Sequence, residues 1–216
     1  MTEPTKPRLL LWRHGQTDWN IENRFQGHSD IPLNEVGKYQ AAHAAEVLRG
    51  MNPAKIIVSD LQRAQQTATA LSELTGLALI TRPGLRETNG GNWEGRTGKE
   101  NRAADNDRFM DWLAGGDHPA GDTGERRTEV ADRAVAVIEA EMVGVEGLLV
   151  VVSHGGTIRS VLGKMLNLPT DRWGVLGGLS NASWSILEHY KYGGWSLIEH
   201  NAGSIPEPLF GNESVK

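Results

Sequence analysis

Two short apolar runs in this chain stop abruptly on the same dipeptide. Leu9, Leu10, Leu11 and Trp12 give way to Arg13-His14-Gly15, and Leu148, Leu149, Val150, Val151 and Val152 give way to Ser153-His154-Gly155-Gly156. Short runs that are apolar at successive positions, rather than at every second one, suit strands buried on both faces of a sheet. In open α/β sheets the ligand crevice lies outside the carboxyl ends of the strands. The two His-Gly turns are therefore expected to converge on one pocket.

Between these runs the pattern alternates. Val36, Tyr39, Ala42, Ala45 and Leu48 fall at helical spacing over 34–49, with Asn34 as N-cap and Gly50 as the stop. Residues 55–58 read as a second strand, followed by a helix over 61–74 that ends at Gly76. Arg63 falls in the first turn of that helix, where a cation opposes the macrodipole. A strand over 77–81 leads into a glycine-rich, irregular segment over 85–95. Helices are expected over 102–113, 125–142 and 157–166, with a terminal hairpin of 182–187 and 195–199 around Tyr192-Gly193-Gly194. The polar stretch up to Pro32 shows no strong period. Strands alternating with helices predict an α/β fold, a three-layer α/β/α sandwich on a mostly parallel central sheet.

A length of 216 residues suits a single domain over 1–216, with 1–7 and 203–216 as loosely held ends. The absence of cysteine excludes disulfides, thiolate nucleophiles and cysteine-based metal sites, and suits a reducing cytosol. No apolar stretch approaches the roughly 20 residues that cross a bilayer. Residues 1–7 are polar and carry no hydrophobic signal region. A cytoplasmic protein that meets neither membrane nor nucleic acid is expected, since a net charge of -5 does not suit a broad phosphate-binding surface. The apolar segment 173–184 and the terminal hairpin make an edge where a homodimer could form.

A phosphoryl group in transfer spreads negative charge over its equatorial oxygens, so a metal-free enzyme must supply several fixed donors. Arg13, Arg63 and His154 fit that need, because arginine offers paired donors and stays charged. A histidine can attack phosphorus and split one hard step into two. A carboxylic acid must also protonate the leaving oxygen and then serve water as base, and Glu87 is the best candidate. The plainer alternatives are a surface contact between Glu87 and Arg86, and loop-stabilising roles for Asn20 and Gln26.

Taken together, Leu11-Trp12-Arg13-His14-Gly15-Gln16-Thr17, Asn20, Arg24-Phe25-Gln26-Gly27, Pro32-Leu33, Gly37, Ser59-Asp60-Leu61-Gln62-Arg63-Ala64, Leu85-Arg86-Glu87 and Val152-Ser153-His154-Gly155-Gly156 resemble the histidine phosphatase superfamily over about 8–199. The resemblance implies a phosphoglycerate mutase-like fold, no metal and no cofactor. It makes His14 the phosphorylated nucleophile, and Arg13, Arg63 and His154 the phosphate clamp. Glu87 becomes the proton donor and base, with Asn20, Gln26 and the backbone of Gly155 as further donors.

The same resemblance bears on the reaction. Cofactor-dependent mutases carry an Arg, a Tyr and a Lys after the acid, where this chain has Thr88, Gly90 and Gly98, and they usually carry Thr where it has Gln26. Lys99, Arg102, Arg126 and Arg127 substitute only in part, so a phosphomonoesterase on a small-molecule phosphate ester fits better. The segments 85–88, 91–95 and 176–184 are similar to those of a subgroup acting on a glycosylated phosphoglycerate, with other sugar phosphates or phosphoserine as alternatives. A phosphotyrosine phosphatase and a non-catalytic module that holds a phosphorylated ligand are the remaining alternatives. Trp19 and Trp93 are expected to wall the substrate; His28, His43, His118, His189 and His200 are assigned to surface or packing.

Overall fold

The structure is a computed structural model, described here for residues 7–189 and 193–203. Residues 1–6, 204–216 and the hairpin's Tyr192 lie outside the described residues. Six strands form one sheet: β1 (Arg8–Arg13), β2 (Pro53–Val58), β3 (Leu79–Thr81), β4 (Leu148–Ser153), β5 (Trp184–His189) and β6 (Trp195–Ala202). Their order is β3-β2-β4-β1-β5-β6, with β5 alone running against its neighbours. The helices are α1 (Asp18–Ile21), α2 (Glu35–Arg49), α3 (Gln62–Thr75), α4 (Gly98–Ala104), α5 (Asn106–Ala114), α6 (Arg127–Met142) and α7 (Gly155–Met165).

Alternation along each strand sends its side chains to two cores. Leu9, Leu11, Leu149 and Val151 meet Ile138, Ile158 and Leu162 of α6 and α7 on one face. Leu10, Trp12, Val150 and Val152 meet Leu48, Ala64 and Leu71 of α2 and α3 on the other. The expected mixed α/β sandwich is the one observed. The rise from polar Arg8 to fully buried Trp12 is completed by the indole, whose Nε1–H donates to the Ala182 carbonyl at 3.0 Å.

Several boundaries differ from the expectation for local reasons. The helix expected over 102–113 is two helices, because Asp105 leaves the helical region at φ -153° and its side chain caps α5 through Arg108 N–H. Thr97 and Glu100 form a capping box that starts α4 earlier. Another such box, of Thr17 and Asn20, makes the single turn of α1 in a stretch without hydrophobic period. Asn34 caps α2 as expected, and Gly76 ends α3 in the left-handed region at φ 72°. The helix after β4 starts at Gly155, two residues before the position expected.

A third, smaller core gathers Trp93, Phe109, Trp112 and Ala120, with Phe25 against it. Trp93 therefore packs among aromatic edges rather than walling the substrate. The segment 173–184 likewise turns inward: Trp173, Leu176, Leu179, Ala182 and Trp184 are buried and only Val175 is a markedly exposed large apolar side chain there. Its apolar content serves the chain's own core.

The loop after β1 lies directly on α2. A Cβ on Gly37 would stand 2.0 Å from the Gln16 carbonyl oxygen, and one on Gly15 would stand 2.4 Å from that of Gly37. Gly37→Ala must displace one backbone from the other and is expected to destabilise the fold by about 2 kcal/mol. An unchanged denaturant midpoint in urea unfolding would refute the contact.

Candidate active site

The register Arg13↔Ser153 brings the carboxyl ends of β1 and β4 level, and His14 N–H donates to the Ser153 carbonyl at 3.0 Å. The next residues are the two histidines, whose ring centroids lie 5.2 Å apart. Both rings are buried, His14 at 3% exposure. His14 Nδ1 stands 2.7 Å from the Gly15 carbonyl. A carbonyl only accepts, so Nδ1 carries the proton and Nε2 the lone pair. Burial, then Arg63 and Arg13, hold this imidazole well below its usual pKa of 6.5.

His154 has the opposite tautomer. Arg63 Nε–H donates to His154 Nδ1 at 3.2 Å, which leaves the proton on Nε2 to bond Ser59 Oγ at 2.9 Å. Its pKa is also held well below 6.5, first by burial and then by Arg63 and His14.

Arg63 is fully buried. Its Nη1 and Nη2 donate to the carbonyls of Ser29 and Gly27, each at 2.8 Å, and these acceptors offset a cation placed at a helix start. Three of its five N–H groups are engaged, two remain, and burial lowers its pKa to about 10, so it is charged at neutral pH. Arg13 Nη1 donates to the Leu179 carbonyl. Gly155 lets that side chain lie close, since a Cβ there would come within 3.3 Å of Arg13 Nε.

Glu87 does not pair with Arg86, whose fork grips Asp60 instead. The Glu87 carboxylate accepts from Gly156 N–H at 3.0 Å and from Thr157 and Thr88 N–H at 2.9 Å, so it sits at the start of α7. Behind it, Arg133 donates to the carbonyls of Gly84, Arg86 and Glu87, and is itself held by Glu125. His28, assigned above to surface or packing, donates from Nε2 to the Glu87 carbonyl at 2.9 Å. No local spacing in the sequence marks His28, Arg133 or Glu125, because their partners arrive from distant segments.

A cleft of about 800 Å³ opens over this group. Arg13, Asn20, Glu87 and Gly155 line it, while His14, Arg63, His154 and Gln26 lie buried behind. Asn20 Oδ1 accepts from Thr17 N–H at 3.0 Å, and Gln26 Oε1 sits 3.1 Å from Thr17 Oγ1. Trp19, Phe25, Phe109 and Leu113 give the outer wall apolar surface, and Lys99, Arg102 and Arg159 give it charge. Arg126 and Arg127 are not on this wall: Arg126 bonds the Asp117 carbonyl, and Arg127 lies 4.0 Å over the Trp112 ring. They supply no substitute for the mutase cations, whereas Arg159, not picked out from the sequence, faces the cleft. Among the described residues no three His, Asp or Glu side chains cluster to hold a metal, and no helix is long and apolar enough to cross a membrane.

A buried, neutral histidine with an open ring nitrogen, set among guanidinium groups and beside a carboxylate on a helix start, defines a phosphate-handling site on an α/β sheet. The chain belongs to the histidine phosphatase superfamily (branch 1), whose profile matches residues 9–203. It is 40% identical over 185 residues to the glucosyl-3-phosphoglycerate phosphatase of Mycolicibacterium vanbaalenii, covering 82% of this chain and 81% of the relative. It is 36% identical over 166 residues to the Yersinia pestis protein named "Probable phosphoglycerate mutase GpmB", covering 75% of this chain and 76% of the relative. The solved mycobacterial glucosyl-3-phosphoglycerate phosphatase in complex with VO3 superposes with a TM-score of 0.86 at 38% identity, over 91% of this chain and 99% of that one.

The depressed imidazoles have a consequence for stability. Below about pH 6.5 the unfolded chain takes up protons on both rings while the folded chain resists, so stability falls as the pH falls. The melting temperature should drop between pH 7 and pH 5.5, above the carboxylate range, and drop less steeply in His154→Gln. A flat profile over that interval would refute the buried neutral pair.

Proposed function

We propose that the chain is a metal-independent phosphomonoesterase that passes a phosphoryl group through His14. The observation that carries this reading is the bond from His14 Nδ1–H to the Gly15 carbonyl, which leaves Nε2 unprotonated. Nε2 attacks phosphorus and the ester oxygen leaves with a proton from Glu87. Water, giving its proton back to Glu87, then releases phosphate and restores the imidazole. Arg13 and the two uncommitted N–H groups of Arg63 neutralise the equatorial oxygens, assisted by Asn20, Gln26 and the backbone N–H of Gly155. His154, its two ring nitrogens engaged by Arg63 and Ser59, serves the clamp by setting the plane of the Arg63 guanidinium.

The substrate proposed is a small phosphorylated metabolite, glucosyl-3-phosphoglycerate or another sugar phosphate. The mycobacterial relatives and the mixed cationic and aromatic cleft support it. The relative named as a mutase keeps transfer to a second hydroxyl as the other reading; the two share the first half-reaction and differ in the acceptor. One sheet that includes all six strands and one family match over 9–203 support a single domain. A cytoplasmic setting accords with this substrate.

A phosphate-release screen over glucosyl-3-phosphoglycerate, sugar phosphates, phosphoserine and 3-phosphoglycerate tests the substrate class directly. Turnover is expected to vanish in His14→Ala, with a labelled phosphoryl donor marking the wild type as an acid-labile histidine adduct. Full activity in that variant would sink the nucleophile. Glu87→Gln should slow alkyl phosphates by about 100-fold and p-nitrophenyl phosphate far less, since an activated phenolate leaves without a proton; equal losses would reassign the acid. Chelator should leave the rate unchanged, and inhibition reversed by magnesium would overturn the metal-free mechanism.

A further inference from the structure

Phosphoryl transfer as described gives no task to Arg159 of the cleft. Arg159 stands four residues after Gly155 on α7 and lines the same cavity. It makes no hydrogen bond or ion pair among the described residues, and its Nε is buried without a partner. Its guanidinium lies against Gly178, where an added Cβ would come within 3.1 Å of Nη2, and Arg13 donates to the carbonyl of the next residue, Leu179. Two guanidinium groups are thus seated on adjacent residues of one loop. The acid that most favours the charged form of Arg159 is Glu87, whose oxygens are already engaged by three backbone N–H groups. A half-buried cation at the wall of a cleft, its Nε–H shut away without a partner, is better satisfied when an anion meets it.

We propose that Arg159 forms a second anion subsite, which takes a carboxylate of the substrate beside the phosphate bound at Arg13 and the start of α7. This rests on the phosphomonoesterase reading above. A planar fork matches a carboxylate in bidentate fashion. One helical turn advances about 5.4 Å, which suits a carboxylate two carbons from the ester oxygen, as in a 3-phosphoglycerate skeleton.

The test uses two probes that differ only in that group. 3-Phosphoglycerate and glycerol 3-phosphate are compared as competitive inhibitors of p-nitrophenyl phosphate hydrolysis, and as ligands by calorimetry. The carboxylated probe should bind the wild type at least about 10-fold more tightly, the scale of one charge-assisted pair. Arg159→Met should bring that ratio close to one, and Arg159→Lys, with charge but no fork, should fall between. Equal affinities in the wild type, or an unchanged ratio in Arg159→Met, would overturn the subsite. A wild type that hydrolyses no phosphate ester while calorimetry still shows the 10-fold preference would overturn the enzymatic reading and leave the subsite standing. Should Arg159→Met fail to fold, Arg159→Lys and the wild-type ratio decide the matter.

Discussion

The hydrogen-bonded pairing of β1 with β4 is the constraint on which the rest of the site depends. Its register sets Arg13 beside Ser153, and the next residue of each strand is a histidine. The two rings come within 5.2 Å because the backbones that carry them are locked, not because the side chains reach. A slip of one residue would send every side chain of the strand to the opposite core. Leu9 and Leu11 on one face and Leu10 and Trp12 on the other oppose that slip, so hydrophobic packing fixes the position of a polar group.

Electrostatics completes what register begins. Bringing two imidazoles and two guanidinium groups together would be repulsive if all were charged, and burial resolves the conflict by keeping the imidazoles neutral. Each tautomer then follows from one neighbour: a carbonyl takes the Nδ1 proton of His14, and a guanidinium offers a proton to Nδ1 of His154. The pocket so formed holds more positive than negative charge, although the whole chain is net negative.

Much of this was legible in the sequence wherever the cause is local. Apolar runs ending on His-Gly announced β1 and β4, and the Asn34 cap with its helical period announced α2. What escaped depends on contacts across the fold. Arg63 reads as misplaced at a helix start until the carbonyls of Gly27 and Ser29 come to meet it. Arg86 reads as a partner for Glu87 until Asp60 takes it, and the break at Asp105 carries no proline or glycine to signal it. Arg159 looks like any helical arginine, since only the tertiary fold shows that its Nε–H is buried without a hydrogen-bond partner.

The third core has a further meaning. Phe109 and Trp112 of α5 anchor the outer wall through Trp93 and Ala120, apart from the two cores that clasp the sheet. Lys99, Arg102, Phe109 and Leu113 thus belong to an annex with its own foundations, while His14 and His154 stand on the main building. A substitution confined to the annex can therefore reshape what the outer wall admits without moving the two imidazoles.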